Sequence, residues 1–261
     1  LVVASEDKLT WYKNDGSGFG SSNTLATDQY TYHISAVDLD KDNDLDILVV
    51  TDSDVAWYKN DNGFTRNTIA NIQASDPFAD VAVGDLDGDG DLDVIGANSG
   101  IGSREAVFQN DGSGSFTNVT STVLPNSSNP NIDDNDSKFL DYDDDGDLDV
   151  VVCAIGGPER MLRNNGNGFL TLVSGTISSV GDSSLDVEVG DLDADGDLDM
   201  VTAQGESGSF RNRLYLNQGP ATDTQPPTIP TWEEVGDVLV GAGPIRVRAM
   251  VRDDMTSDRG S

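Results

Sequence analysis

The chain has 261 residues, enough for one large domain or two, and carries 47 Asp and Glu against 15 Lys and Arg, a formal net charge of −32. That balance argues against nucleic acid or an anionic membrane as a partner. The lone cysteine, Cys153, allows neither an intrachain disulfide nor a thiolate metal site, and no stretch approaches the roughly 20 apolar residues of a membrane span.

The first 33 residues read as three strands, Leu1–Ala4, Leu9–Asn14 and Gly18–Leu25. A unit then begins that occurs four times. Its first strand is short and apolar: Ile34–Val37, Val81–Gly84, Lys138–Leu140 and Val187–Gly190. A nine-residue acidic loop follows, at Asp38–Asp46, Asp85–Asp93, Asp141–Asp149 and Asp191–Asp199, with starts 47, 56 and 50 residues apart. Second strands come next, at Ile47–Val50, Val94–Gly96, Val150–Val152 and Met200–Thr202. Third strands end in a common Asn: Trp57–Asn60, Val107–Asn110, Met161–Asn164 and Leu214–Asn217. A Gly-bearing turn and a Phe usually follow, as in Asp111–Phe116 and Asn165–Phe169; the Phe opens a fourth strand such as Phe64–Ile69. Asn/Asp-Gly between apolar runs is a hairpin signal, because both residues accept positive φ. Four antiparallel strands per unit of about 50 residues predict an all-β chain of propeller blades.

The loops place acids at alternate positions: Asp38, Asp40, Asp42, Asp44 and Asp46; Asp85, Asp87, Asp89, Asp91 and Asp93; Asp141, Asp143, Asp145, Asp147 and Asp149; Asp191, Asp193, Asp195, Asp197 and Asp199. Of the 47 acidic residues, 21 lie in these loops. Carboxylates this crowded repel one another unless a cation sits between them, and so many oxygen donors suit a hard ion, Ca²⁺ first, at about four sites. Side chains at positions one, three, five and nine are expected to face the ion, with a backbone carbonyl near position seven completing the shell. Leu at position eight (Leu45, Leu92, Leu148, Leu198) is expected to anchor the loop on the blade. An EF-hand would need an acidic twelfth residue and a following helix; here the twelfth residues are Val49, Gly96, Val152 and Thr202, and strands follow. The Gly-Gly-x-Gly-x-Asp repeats of calcium β-rolls are absent.

On these motifs the sequence resembles FG-GAP repeats, also called VCBS repeats, of integrin α-subunit propellers and large secreted bacterial proteins. Val81–Ala97 lies close to the family pattern, and the likeness spans roughly residues 1–219. One departure is Asn43, which stands where the other loops have a sixth-position Gly; Asn tolerates the left-handed conformation. The resemblance implies a calcium-stabilised β-propeller of a secreted or surface protein. It further implies a role in recognition or adhesion without catalysis, the alternative being the propeller of a secreted polysaccharide lyase.

The tally of three, four, four, four and three strands does not fill whole blades, and the chain opens at Leu1 without Met or a signal peptide. It is therefore expected to be a piece of a longer protein, cut inside a blade. Residues 220–232 read as a Pro/Thr linker, and residues 233–261, with Val238–Val240 and Ile245–Val251 as strands, as the opening of an Ig- or cadherin-like module.

Trp11-Tyr12 and Trp57-Tyr58 could stack on sugars, but their equivalents Val107-Phe108, Met161-Leu162 and Leu214-Tyr215 favour packing between blades. His33, the only histidine, is assigned an ordinary loop role, and Cys153 that of a buried apolar residue. The acidic and Asn-Gly turns share one face of a propeller. The opposite face carries the variable connections and four scarce cations, Arg104, Arg160, Arg211 and Arg213; a protein or polysaccharide partner is expected there.

Overall fold

A computed structural model describes residues 1–5, 7–27, 30–72, 78–98, 104–178, 182–205, 211–219, 228–232 and 249–252. The alternating apolar runs build five antiparallel sheets, each in chain order. The first holds β1 (Val2–Ser5), β2 (Lys8–Asn14) and β3 (Phe19–Thr27). The second holds β4 (Thr31–Val37), β5 (Asp46–Thr51), β6 (Asp54–Asn60) and β7 (Phe64–Asn71). The third holds β8 (Phe78–Gly84), β9 (Asp93–Asn98), β10 (Ala106–Asn110) and β11 (Phe116–Asn118), and is followed by a one-turn helix, α1 (Thr120–Val123). The fourth is β12 (Asp134–Leu140), β13 (Asp149–Gly157), β14 (Arg160–Arg163) and β15 (Thr171–Val173). The fifth is β16 (Asp182–Gly190), β17 (Asp199–Gln204) and β18 (Arg213–Tyr215). The far end of β13 also pairs with β16, through Ile155 with Ser183 and Gly157 with Asp182. This is a β-propeller, with strand numbers per sheet as the sequence predicts.

Each second strand is a continuous apolar run because both of its faces are covered. Period-two alternation sends Ile47 and Val49 toward the first sheet, where they meet Leu9, and Leu48 and Val50 toward the third, where they meet Phe78 and Phe108. Val150 and Val152 pack with Ile95, Leu86 and Leu162, while Val151 and Cys153 pack with Val187 and Met200. The core is thus a series of layers between consecutive sheets. Removing one such side chain, as in Leu48→Ala, would cost about 2–5 kcal/mol. Trp57 and Tyr58 belong to these layers and are buried, as the packing reading expects. Burial pushes the Cys153 thiol up, so it stays protonated and inert.

The first strands lie beside one another, and each carries a register shift at the same place, five residues before its loop: at His33, Asp80, Asp136 and Asp186. A bulge there turns the side chain and breaks the ladder. His33 is therefore not a loop residue. It sits in β4 and its Nδ1 pairs with Asp80 of the next sheet. Together with Lys138, it holds the Asp80 carboxyl down at about 2 against a burial effect of opposite sign.

Two strand expectations shift. Phe169 does not open the fourth strand of its sheet: β15 starts at Thr171, and the buried residue is Leu170, because Leu170 N–H is held by Val123 O of the preceding connection. Within the 220–232 stretch, β19 (Thr228–Trp232) is a strand that pairs antiparallel with β20 (Ala249–Arg252). Val238–Val240 lies outside the described residues.

Candidate metal centres

Each acidic loop links a first strand to a second, and its ninth residue is already the opening residue of the second strand. That Asp (Asp46, Asp93, Asp149, Asp199) is buried. Its Oδ2 accepts the N–H of loop position two, from Leu39 at 3.1 Å, Leu86 at 3.1 Å, Tyr142 at 3.1 Å and Leu192 at 2.8 Å. Its Oδ1 accepts the N–H of the third-strand Asn, from Asn60 at 2.9 Å, Asn110 at 2.9 Å, Asn164 at 2.7 Å and Asn217 at 2.9 Å. One carboxylate thus ties the loop's start to the end of the third strand. Position one collects the tip of the turn: Asp85 accepts from Gly88 N–H at 2.9 Å and Gly90 N–H at 3.0 Å, and Asp38 from Asp42 and Asn43. Position five accepts the N–H two residues on, as in Asp89 with Asp91 at 2.9 Å. The sixth residue is left-handed in every loop, at φ 68° for Asn43 and 88° for Gly90, so Asn meets the backbone demand that Gly meets elsewhere.

This folding gathers part of the expected donor set. Carboxylate oxygens converge within 4.8 Å from Asp85, Asp87 and Asp93; from Asp141, Asp143 and Asp149; and from Asp191, Asp193 and Asp199. In the first loop the group is Asp38, Asp40 and Asp42, and Asp46 is not in it. Asp89, Asp145 and Asp195 at position five lie outside these triples but in side-chain hydrogen-bond contact with the third-position Asp87, Asp143 and Asp193, and the seventh-position Asp44, Asp91, Asp147 and Asp197 are not among the converging three. The groups are all-oxygen, the donor type of hard divalent cations. The Asp40 side chain is more than nine-tenths buried, and its Oδ1 has no partner among the described residues, which leaves a buried oxygen of the first group's carboxylates unsatisfied. The residues fit a hard cation. Burial, with neighbouring carboxylates adding to it, pushes Asp46 up to about 6 and Asp93 and Asp149 up to about 7, while two backbone N–H bonds act the other way.

The eighth-position leucines do not all anchor the loop. Leu45 is 62% exposed and the other three are only partly covered, whereas Leu39 and Leu86 at position two are fully buried. The reason lies between sheets: position two packs on the next sheet, and position eight lies over the preceding sheet's loop. Among the described residues no loop of the first sheet meets Leu45.

The residue that sequence reasoning undervalued is the third-strand Asn. Asn110 Nδ2 donates to Leu92 O of its own loop at 3.1 Å and to Leu39 O of the preceding sheet's loop at 2.8 Å. Asn164 does the same with Leu148 O and Leu86 O, at 3.0 and 2.7 Å, and Asn217 reaches Tyr142 O at 2.8 Å. The Oδ1 atoms accept turn N–H groups, as Asn164 does from Gly168 at 3.0 Å. Its recurrence in every unit was the available signal. On the variable face, Arg160 is not open to a partner: it is 5% exposed and bonds Glu105 at 2.6 Å and Asp134 at 2.8 Å. Among the described residues no helix is long and apolar enough to cross a membrane.

The model of the FG-GAP-like repeat matches residues 1–49, 38–96 and 141–202. A search of curated proteins returns no match. Among solved structures, a lectin of Agrocybe aegerita, described as recognising non-reducing terminal N-acetylglucosamine, is similar at TM-score 0.50 and 20% identity. The likeness covers 97% of this chain and 62% of the lectin, so the chain spans less than two thirds of that protein. A second structure, BBS1N in complex with ARL6DN, is similar at TM-score 0.49 and 12% identity over 89% of this chain and 66% of the other, too distant to carry an argument.

Proposed function

Because this chain belongs to the FG-GAP-like repeat family, we propose that it is a propeller module whose blades are held by Ca²⁺ and whose variable-loop face recognises a partner outside the cell. The observation that carries the reading is the convergence of three carboxylates in each of four equivalent loops. Asp85, Asp87 and Asp93 would hold the ion in the second loop, Asp141, Asp143 and Asp149 in the third, Asp191, Asp193 and Asp199 in the fourth, and Asp38, Asp40 and Asp42 in the first. The ion's role is structural: it relieves repulsion among carboxylates that the fold crowds together. At free Ca²⁺ about 10- to 100-fold above the dissociation constant, each site adds about 1.4–2.7 kcal/mol of stability. Weak sites of this kind work at millimolar Ca²⁺, which points to a secreted or surface protein.

The Ca²⁺ loops occupy one face, which leaves the connections opposite them for recognition. The fold is shared with a glycan-binding lectin, so glycans are the first partner class to test and proteins the second. Thermal melting in 2 mM Ca²⁺ and in excess EDTA tests the metal reading, with about 10 °C or more expected between them on the stability scale above. Coincident melts would overturn it. Binding to a glycan panel, repeated after exchange of the 120–133 connection, tests the recognition face.

A further inference from the structure

The residue just before the third-strand Asn breaks the repeat: it is Lys59, Gln109, Arg163 and Leu216 in the four units. The three polar ones are delivered to the same place, the third-position carboxylate of their own loop. Lys59 Nζ pairs with Asp40 Oδ2, with Asp61 at 3.3 Å and Asp42 at 3.7 Å. Arg163 Nε lies 3.0 Å from Asp143 Oδ2, and its Nη2 is 3.5 Å from Asp145. Gln109 Nε2 donates to Asp87 Oδ2. Leu216 offers no polar atom. The position-three carboxylate belongs to all four converging groups, so the first group faces an ammonium, the second a neutral amide and the third a guanidinium, while the corresponding residue of the fourth unit supplies none of these.

We propose that this residue ranks the four cation sites, with the second and fourth loops binding divalent cations tightly and the first and third held weak by a tethered side-chain cation. The proposal rests on the reading of the loops as Ca²⁺ sites. A divalent ion taken up through the free Oδ1 of Asp40 or Asp143 sits across one carboxylate from an ammonium or guanidinium held on Oδ2. The tethered side chain either stays and repels the ion or swings out and gives up a charge-assisted hydrogen bond, and either course costs on the order of tenfold in affinity. The tethered cation also relieves the repulsion that otherwise drives ion uptake, so loops one and three are partly neutralised before any ion arrives. Among the described residues one other cation approaches a loop from outside: Lys41 pairs with Asp91 of the second loop. Asp91 is a seventh-position side chain outside the converging group, and Lys41 is half exposed, so this contact lies at the rim.

Calorimetric titration of the full chain with CaCl₂, after removal of bound ions, reads the affinity classes directly. The expected wild-type isotherm has two tighter sites and two about tenfold weaker. Lys59→Gln with Arg163→Gln should move the weak pair into the tight class, and Gln109→Lys should move one tight site into the weak class. Melting supplies a second readout: Lys59→Gln should lower the melting temperature in EDTA, where the ammonium is lost, and raise it in Ca²⁺. A fold defect would lower both. Classes that do not change with these substitutions overturn the ranking while leaving Ca²⁺ binding intact. Absence of any Ca²⁺ uptake overturns the parent reading as well.

Discussion

Asn164→Ala tests the claim that the third-strand asparagine fastens one blade to the next. The side chain is 1% exposed and donates to Leu86 O at 2.7 Å and Leu148 O at 3.0 Å. It accepts from Asn165 N–H at 2.8 Å and Gly168 N–H at 3.0 Å. Water can replace the bond to Asn165, which is exposed, but not those to the buried carbonyls and Gly168. Two buried hydrogen bonds and one partly buried, at about 1 kcal/mol each with groups left unsatisfied, give a loss of about 3 kcal/mol. Asn60 is the internal control. It reaches only Leu45 O of its own loop, at 3.3 Å and exposed, so Asn60→Ala should cost about 1 kcal/mol or less. Urea unfolding in EDTA, followed by tryptophan fluorescence, gives both values without a contribution from bound ions. Equal losses in the two variants would refute the inter-blade role.

Other outcomes follow from the same geometry. Gly114→Ala should destabilise by about 2–3 kcal/mol or more, because a Cβ there overlaps the Trp57 ring and φ is 76°; Gly16→Ala, at φ 85° with open space around it, should cost only about 1 kcal/mol in the same unfolding assay. Burial raises Asp93 and Asp149 to about 7, so the ion-free folded chain binds protons more tightly than the unfolded one. Their contribution is fully present below the unfolded carboxylate value near 4 and is lost as pH rises through about 7; melts in EDTA should therefore fall from pH 5 to 7.5, and a rise would contradict the assignment. Ca²⁺ binding at pH 6.5 should release protons, measured as a dependence of the calorimetric heat on the ionisation enthalpy of the buffer.

The sequence by itself determined the number of strands in each sheet, their order and the place of the acidic loops. These follow from local rules: alternation marks strands, Asn-Gly and Asp-Gly mark turns, and carboxylates at alternate positions mark the acidic loops. It also showed that Asn43 could stand in for Gly, because the left-handed requirement is a property of one residue's backbone. What two sheets do to each other was not legible. Only the folded chain decided that Leu39 and Leu86 are buried while Leu45 is exposed, since burial depends on whether the adjacent sheet carries a loop to cover it. His33 reached Asp80 through a bulge whose effect on side-chain direction requires the partner strand. Arg160 was spent inside the protein rather than offered to a partner, because Glu105 and Asp134 converge on it from 55 and 26 residues away. The asparagines were visible as a repeat, but their chemistry needed the distance from one sheet's third strand to the preceding sheet's loop. Periodicity reports what a strand does with its own faces; contacts between blades depend on neighbours that only the tertiary structure supplies.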